Sequence, residues 1–275
     1  MTLSCRKYIF GHGKNSGGIM ATQVQAATVF EREHRFFFIT ACLMALVLVA
    51  GFSTNLALGR STFAVPPVFH LHAFVFFGWV VLYLAQTGLV ATGSLALHRR
   101  LGWLALGWVP AMLILGTVIL LTILRSTGGP FFFAKNEFLF GNLTGLATFA
   151  GTVLWAIGLR RRTDWHRRLM LGAMAGLTGP GFGRLLPLPL MMPWAWWISG
   201  VLFPAFFIVA GMVADRRRLG RVHPAYWWGL GLLVGGQLVA QAIAYSPMGY
   251  VVTEAVTAGT PGAARPMQAQ WPSRP

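Results

Sequence analysis

Charged side chains are scarce in this sequence. Lysine and arginine number 22 and aspartate and glutamate only 6 in 275 residues, so 10% of the chain is charged, where soluble domains carry about 25%. Such a chain cannot coat a soluble globule, and it lacks the solvated composition of a disordered one. Cysteine is almost absent: Cys5 stands in a polar lead and Cys42 in an apolar run, which excludes a disulfide scaffold and a cysteine-based metal site. No lysine lies inside an apolar run, which excludes a retinal Schiff base. A phosphate-binding loop is missing too, because Gly11-His12-Gly13-Lys14 lacks the rest of that pattern. Residues 1–30 are polar and glycine-rich and contain no apolar core of a cleavable signal peptide.

What the chain has instead is apolar length. Apolar residues make up 56% of it, and the mean hydropathy is +0.63. A helix of about 20 apolar residues crosses ~30 Å of hydrocarbon. Seven runs answer to that description: Phe36–Thr54, Val68–Ala91, Leu101–Leu124, Phe138–Leu159, Leu169–Leu190, Trp194–Ala214 and Tyr226–Tyr245. The fifth holds Pro180, Pro187, Pro189 and Arg184, which predicts a broken or kinked helix. The expected fold class is therefore all-α, a polytopic transmembrane bundle of about seven spans over residues 34–246. Residues 1–33 read as a disordered or interfacial N-terminal tail. Residues 247–275, rich in Pro, Ala, Gly and Thr, read as a disordered C-terminal tail. Met20 opens a more ordinary helical lead than residues 1–19 and is an alternative start of translation.

The connecting segments carry an orientation signal. Sixteen basic residues fall in the N-terminal tail and after the second, fourth and sixth runs, among them Arg99, Arg100, Arg160–Arg162, Arg167, Arg168 and Arg216–Arg218. Five fall on the other side: Arg60, Arg125, Lys135, Arg265 and Arg274. The positive-inside rule then puts the N-terminus in the cytoplasm and the C-terminus outside. It points to a bacterial inner membrane whose anionic head groups are the first partner of these arginines. The basic residues sit in short clusters between apolar runs rather than on a face with interleaved aromatics, so nucleic acid is not expected.

Four runs begin with histidine beside a basic or turn residue: His34-Arg35, His98-Arg99-Arg100-Leu101, His166-Arg167-Arg168-Leu169 and His223-Pro224. The similar spacing is compatible with repeated two-helix hairpins. One reading is interfacial anchoring, with arginine at phosphate level and Trp103, Trp165, Trp227 and Trp228 as an aromatic belt. The alternative is axial ligation of a b-type haem by His98 and His166 in a membrane electron-transfer protein, with arginines neutralising the propionates. Both histidines lie on the same side, as such a pair requires, although at helix ends beside charge.

Two blocks also carry a resemblance. Trp165-His166-Arg167-Arg168-Leu169-Met170-Leu171 followed by Gly179-Pro180 and Arg184, and His70-x-His72 through Trp79 and Gln86 to His98-Arg99-Arg100-Leu101-Gly102, resemble a group of uncharacterised bacterial polytopic inner-membrane proteins. The likeness covers roughly residues 34–245 and implies a multi-helix membrane fold. It implies no activity.

Polar groups at membrane depth are few: His70, His72, Gln86, Asn142, Arg184, Gln237 and Gln241. His72, Trp79 and Gln86 recur every seven residues and share a helix face, as do Gln237, Gln241 and Tyr245 at every four. Their plainest role is hydrogen-bond glue between helices. His70 and His72 point about 200° apart on a helix, so they do not chelate one metal, and no metal site is expected. No nucleophile or acid–base pair marks an enzyme, and no carboxylate stands inside a run. Arg184 lies fifteen residues into its run, about 22 Å along the axis at 1.5 Å per residue. That level is shared by His70, His72, Gln241 and Tyr245. The expected site is an outward-facing polar pocket of Arg184, His72 and Gln241, with His70, Gln86, Gln237 and Tyr245 as further lining. It would bind or transport an apolar or weakly anionic small molecule or lipid, with no cofactor favoured and haem as the alternative. A structural scaffold without a ligand is the remaining class.

Overall fold

The computed structural model describes residues 16–271, with side chains from Glu33 onward. Every regular element among them is helical. The principal helices are α1 (Ser16–Ala57), α2 (Pro67–Ala91), α3 (Leu95–Gly102), α4 (Leu104–Thr127), α5 (Lys135–Gly158), α6 (Thr163–Leu177) and α7 (Gly179–Leu185). After a short 3-10 turn come α8 (Ala195–Trp197), a π-helical segment (Ile198–Leu202) and α9 (Phe203–Leu219), followed by α10 (Pro224–Ala244) and α11 (Pro247–Thr257). Six stretches are long and apolar enough to cross a membrane: Glu33–Ala57, Pro67–Ala91, Leu104–Thr127, Lys135–Gly158, Ala195–Leu219 and Pro224–Ala244. Their outward faces carry large exposed apolar side chains, such as Phe74 at 69% and Ile114 at 64% exposure. Such faces are costly in water and cost nothing in hydrocarbon.

Local chemistry places the boundaries. Pro67 starts α2 and Pro224 starts α10, where the missing N–H is not needed. Gly128 and Gly220 end α4 and α9 in the left-handed conformation that closes a helix. The His98-Arg99-Arg100 motif does not open the third long helix as expected. It occupies the separate short helix α3, and Trp103 marks the joint before α4.

The fifth run is broken, as its prolines and glycines imply. α6 stops at Leu177, Pro180 restarts the chain as α7, and Leu186 leaves helical geometry before Pro187. α7 lies directly on α1 through glycine. A methyl at Gly51 would strike the Gly181 carbonyl, and one at Gly181 would sit 2.9 Å from the Val47 carbonyl. That close approach holds Arg184 beside the end of α1.

The main core joins α1, α2, α4, α5, α6 and α9 around Met44, Trp79, Tyr83, Met112, Phe149, Met174 and Ile208. Helix α1 runs from Ser16 through the helical lead before the first apolar run, while residues 1–15 lie outside the described residues. At the other end one sequence expectation is corrected. The expected disordered tail after residue 246 is instead folded. Ser246 caps α11 by accepting a hydrogen bond from the Gly249 N–H, and Thr253 and Thr257 are buried. Beyond α11 the chain clasps the start of α5: Lys135 donates Nζ to Gly262 O at 2.9 Å, and its backbone N–H donates to Met267 O at 2.7 Å. Arg265 donates to the carbonyls of Gly128 and Phe133. Helix α11 packs Val252 and Val256 against Leu120, Leu124 and Leu139, while the hydrogen bonds of the clasp go to backbone carbonyls, which carry no sequence signature.

Candidate functional site

Three polar centres occupy the two ends of the bundle. At the basic end Arg168 and Asp215 are buried together. Arg168 donates Nε to Asp215 Oδ2 at 2.7 Å, Nη2 to Asp215 Oδ1 at 2.9 Å and Nη1 to the Asp164 carbonyl at 2.9 Å. Glu33 bridges Arg167 at 2.8 Å and Arg168 at 3.1 Å, and Arg218 reaches Asp215 at 3.3 Å. The Arg168 guanidinium also lies over the Tyr226 ring, which is seated in the notch left by Gly211. Beside this network His223 takes the Ala225 N–H on Nδ1 at 3.1 Å. Its proton is therefore on Nε2, which donates to Asp164 Oδ2 at 3.0 Å. Burial pushes the Asp164 carboxyl up, but the hydrogen bonds from His223 and the Trp165 N–H outweigh it and hold the group below the usual carboxylate range.

No carboxylate stands inside an expected run, but the helices extend beyond the runs, so that Asp215 on α9, just after the run ending at Ala214, and Glu137 on α5, just before the run starting at Phe138, are both buried. Arg168, read from sequence as an interfacial anchor, is 1% exposed. The signal that could have found the pair is the scarcity of acid itself. An aspartate immediately before Arg216-Arg217-Arg218 needs a buried partner if it is not merely solvated.

A second centre lies nearby, where the imidazoles of His98 on α3 and His166 on α6 face each other with ring centres 6.5 Å apart and planes crossed at 81°. His166 Nδ1 is 2.8 Å from the Ala156 carbonyl. His98 Nδ1 and both polar atoms of the Gln86 amide are buried without a partner. Burial holds both imidazoles below the ordinary histidine value.

The third centre is at the opposite end, where the expected pocket divides. Gln241 donates to Glu137, and Trp196 Nε1 donates to Gln237 Oε1 at 2.7 Å, so both glutamines have partners on other elements. Tyr245 is exposed and packs near Tyr250, and His70 is exposed. Asn142 turns back to the Phe138 carbonyl at 2.7 Å. Gln86 belongs to the histidine centre at the basic end. Arg184 and His72 remain. Arg184 Nη1 donates to Pro180 O at 2.9 Å, and its guanidinium lies 3.9 Å from the centre of the Phe52 ring. Its Nε is buried with no partner, and so is Nδ1 of His72, whose ring stacks on Phe76 at 4.2 Å. Among the described residues no carboxylate pairs with Arg184, and no cluster of three or more His, Cys, Asp or Glu could hold a metal. No protein-family model, curated protein or solved structure matches the chain.

Proposed function

We propose that this chain is a multi-pass membrane protein, with seven crossings in a bacterial inner membrane, that binds or carries an amphiphile with an anionic or carbonyl-bearing head. The six apolar helices support the membrane fold. The broken segment α6–α7 supplies the seventh crossing, which agrees with the sixteen-to-five split of basic residues and puts the two termini on opposite sides. A reporter fused within the Arg160–Arg162 loop should read cytoplasmic and one at the C-terminus external; the same signal from both would remove the seven-crossing topology.

The observation that carries the ligand reading is the guanidinium of Arg184. Among the described residues, the other well-enclosed cations have carboxylate or multiple carbonyl partners: Arg168 on Asp215, Lys135 on Gly262 and Ala263, Arg265 on Gly128 and Phe133. Arg184 has one carbonyl of its own helix, an aromatic face and a buried, unsatisfied Nε. Leaving such a group unsatisfied in hydrocarbon costs several kcal/mol. An anionic or carbonyl oxygen beside Arg184 would satisfy its orphan Nε. Native mass spectrometry and lipid extraction of gently purified protein test this. The wild type should retain an amphiphile that Arg184→Gln loses while remaining monodisperse and inserted. Equal retention by both proteins would overturn the assignment.

A further inference from the structure

We propose that the groove between α1 and α9 at the basic end of the bundle seats one anionic phospholipid, with an acyl chain along α9 and its phosphate on Arg217. This site is separate from the Arg184 centre, and it rests on the multi-pass membrane fold proposed above. The groove has a volume of about 600 Å³. Phe206, Val209, Ala210, Val213 and Ala214 of α9 line it together with Phe36 of α1, and Arg217 and Arg218 close one end.

The sequence of α9 builds this groove and sets its length. The lining positions recur at i, i+3, i+4, i+7, i+8 and i+11, which is one continuous face of a helix. Ala210 and Ala214 keep the middle of that face low, between Phe206 at one end and the arginines at the other. From Phe206 to Arg217 the stripe rises about 16 Å at 1.5 Å per residue, which is close to half of the ~30 Å of hydrocarbon in a bilayer. The groove therefore matches the acyl chain of a single leaflet, with its cations at the water boundary. Phe206 and Val209 are open to such a chain, at 55% and 42% exposure.

Charge selects the head group. Among the described residues the carboxylates at this end are already engaged: Glu33 holds Arg167 and Arg168, Asp215 holds Arg168 and Arg218, and Asp164 holds His223. Arg218 is fixed as a wall of the groove. Its Nη2 donates to Asp215 at 3.3 Å, its Nε donates to the Ala214 carbonyl at 3.1 Å, and its guanidinium lies 5.2 Å from the centre of the Phe36 ring. Arg217 is exposed and has no carboxylate partner among the described residues, and the same holds for Arg35, which precedes Phe36. Each guanidinium can give a phosphate two charge-assisted hydrogen bonds. An apolar stripe of one leaflet's depth that ends in an unpaired guanidinium is the complement of an acyl chain that ends in a phosphate.

The test is native mass spectrometry of the full chain in mild detergent, titrated with phosphatidylglycerol and with phosphatidylcholine of the same acyl chains. The wild type should hold one phosphatidylglycerol in preference to phosphatidylcholine by about fivefold, the effect of one arginine beside an anionic lipid. Arg217→Gln should remove that preference, and because Arg217 is exposed the fold should be unaffected. Ala210→Trp, which fills the groove, should lose the bound lipid. Arg184→Gln should keep the preference, which separates this site from the amphiphile assigned to Arg184. Arg125→Gln, at the opposite end of the bundle, should keep it too. Equal binding of the two lipids by the wild type would overturn the proposal, as would a preference that survives Arg217→Gln. A wild-type dimer that Ala210→Trp dissociates would also overturn it, because a second copy of the chain would then fill the groove. A chain that stays dispersed without detergent and takes up neither lipid would overturn the membrane fold as well.

Discussion

Arg168 and Asp215 meet in a two-pronged ion pair, at 2.7 Å and 2.9 Å, with exposures of 1% and 0%. The pair ties α6 to α9, and Glu33 extends it to α1. Two buried charges lose much solvation, which their attraction repays only when geometry is good and the remaining donors are satisfied. Here the remaining Nη1 of Arg168 is bound by the Asp164 carbonyl.

Removing one partner should therefore be worse than removing both. Asp215→Ala should cost about 3–5 kcal/mol, because it strands a buried guanidinium. Arg168→Met combined with Asp215→Leu should recover most of that loss. Thermal unfolding of the wild type, Arg168→Met, Asp215→Leu and the double variant in one detergent gives the comparison. A double variant as unstable as the sum of the singles would show that the pair is not acting as a unit.

The close contact of α1 and α7 is steric. Gly51→Val would drive a side chain into the Gly181 carbonyl, and the helices would have to separate. Overpacking of this kind costs about 1–3 kcal/mol, and it should also displace Arg184 from Phe52. The expected result is a lowered melting temperature together with loss of amphiphile retention. Gly235→Ala, at a position open within 4 Å, serves as a control and should be near neutral.

The C-terminal clasp rests on a similar constraint. Any side chain at Gly262 collides with the Leu124 carbonyl, so Gly262→Val should release the segment after α11 and expose the Lys135 ammonium. We expect faster proteolysis between residues 258 and 271 and faster amide exchange at Lys135, whose N–H is bound by Met267. Unchanged protection at Lys135 would contradict the clasp.

Asp164 and His223 form a pair at the basic rim, and Asp164 is half exposed. Its carboxyl is held below the ordinary range by His223 and the Trp165 N–H against the effect of burial. A carboxylate with a depressed folded value contributes stability above its unfolded value of about 3.9 and loses it as pH falls through the folded value. A double-mutant cycle of Asp164→Asn and His223→Asn should give a coupling of about 0.2–1 kcal/mol at pH 5 that falls away as the pH is lowered through the folded value of Asp164. A coupling that grew on acidification would reverse the assigned sign.

Apolar run length by itself determined the six long apolar helices. Run length is a local property, because a helix long enough to cross hydrocarbon satisfies its own backbone whatever its neighbours do. The break in the fifth run was equally legible, since Pro180 and Pro187 forbid a continuous helix wherever they are placed. The meeting of His98 with His166 was legible as a possibility, from a motif repeated at the same end of two hairpins.

Which polar groups pair was decided only by the tertiary structure. Arg184, His72 and Gln241 share a level along the bundle, but level does not fix azimuth. Packing of α10 against α5 gave Gln241 to Glu137, and the glycine contact of α7 with α1 turned Arg184 onto Phe52. Asp215 looked like one more charge in a basic cluster until α6 laid Arg168 against it. The folded C-terminal segment was hidden for the same reason: Arg265 donates to the backbone carbonyls of Gly128 and Phe133, and the carbonyl of Gly262 accepts from Lys135. A backbone carbonyl is common to every residue, so nothing but the folded geometry selects which one is used.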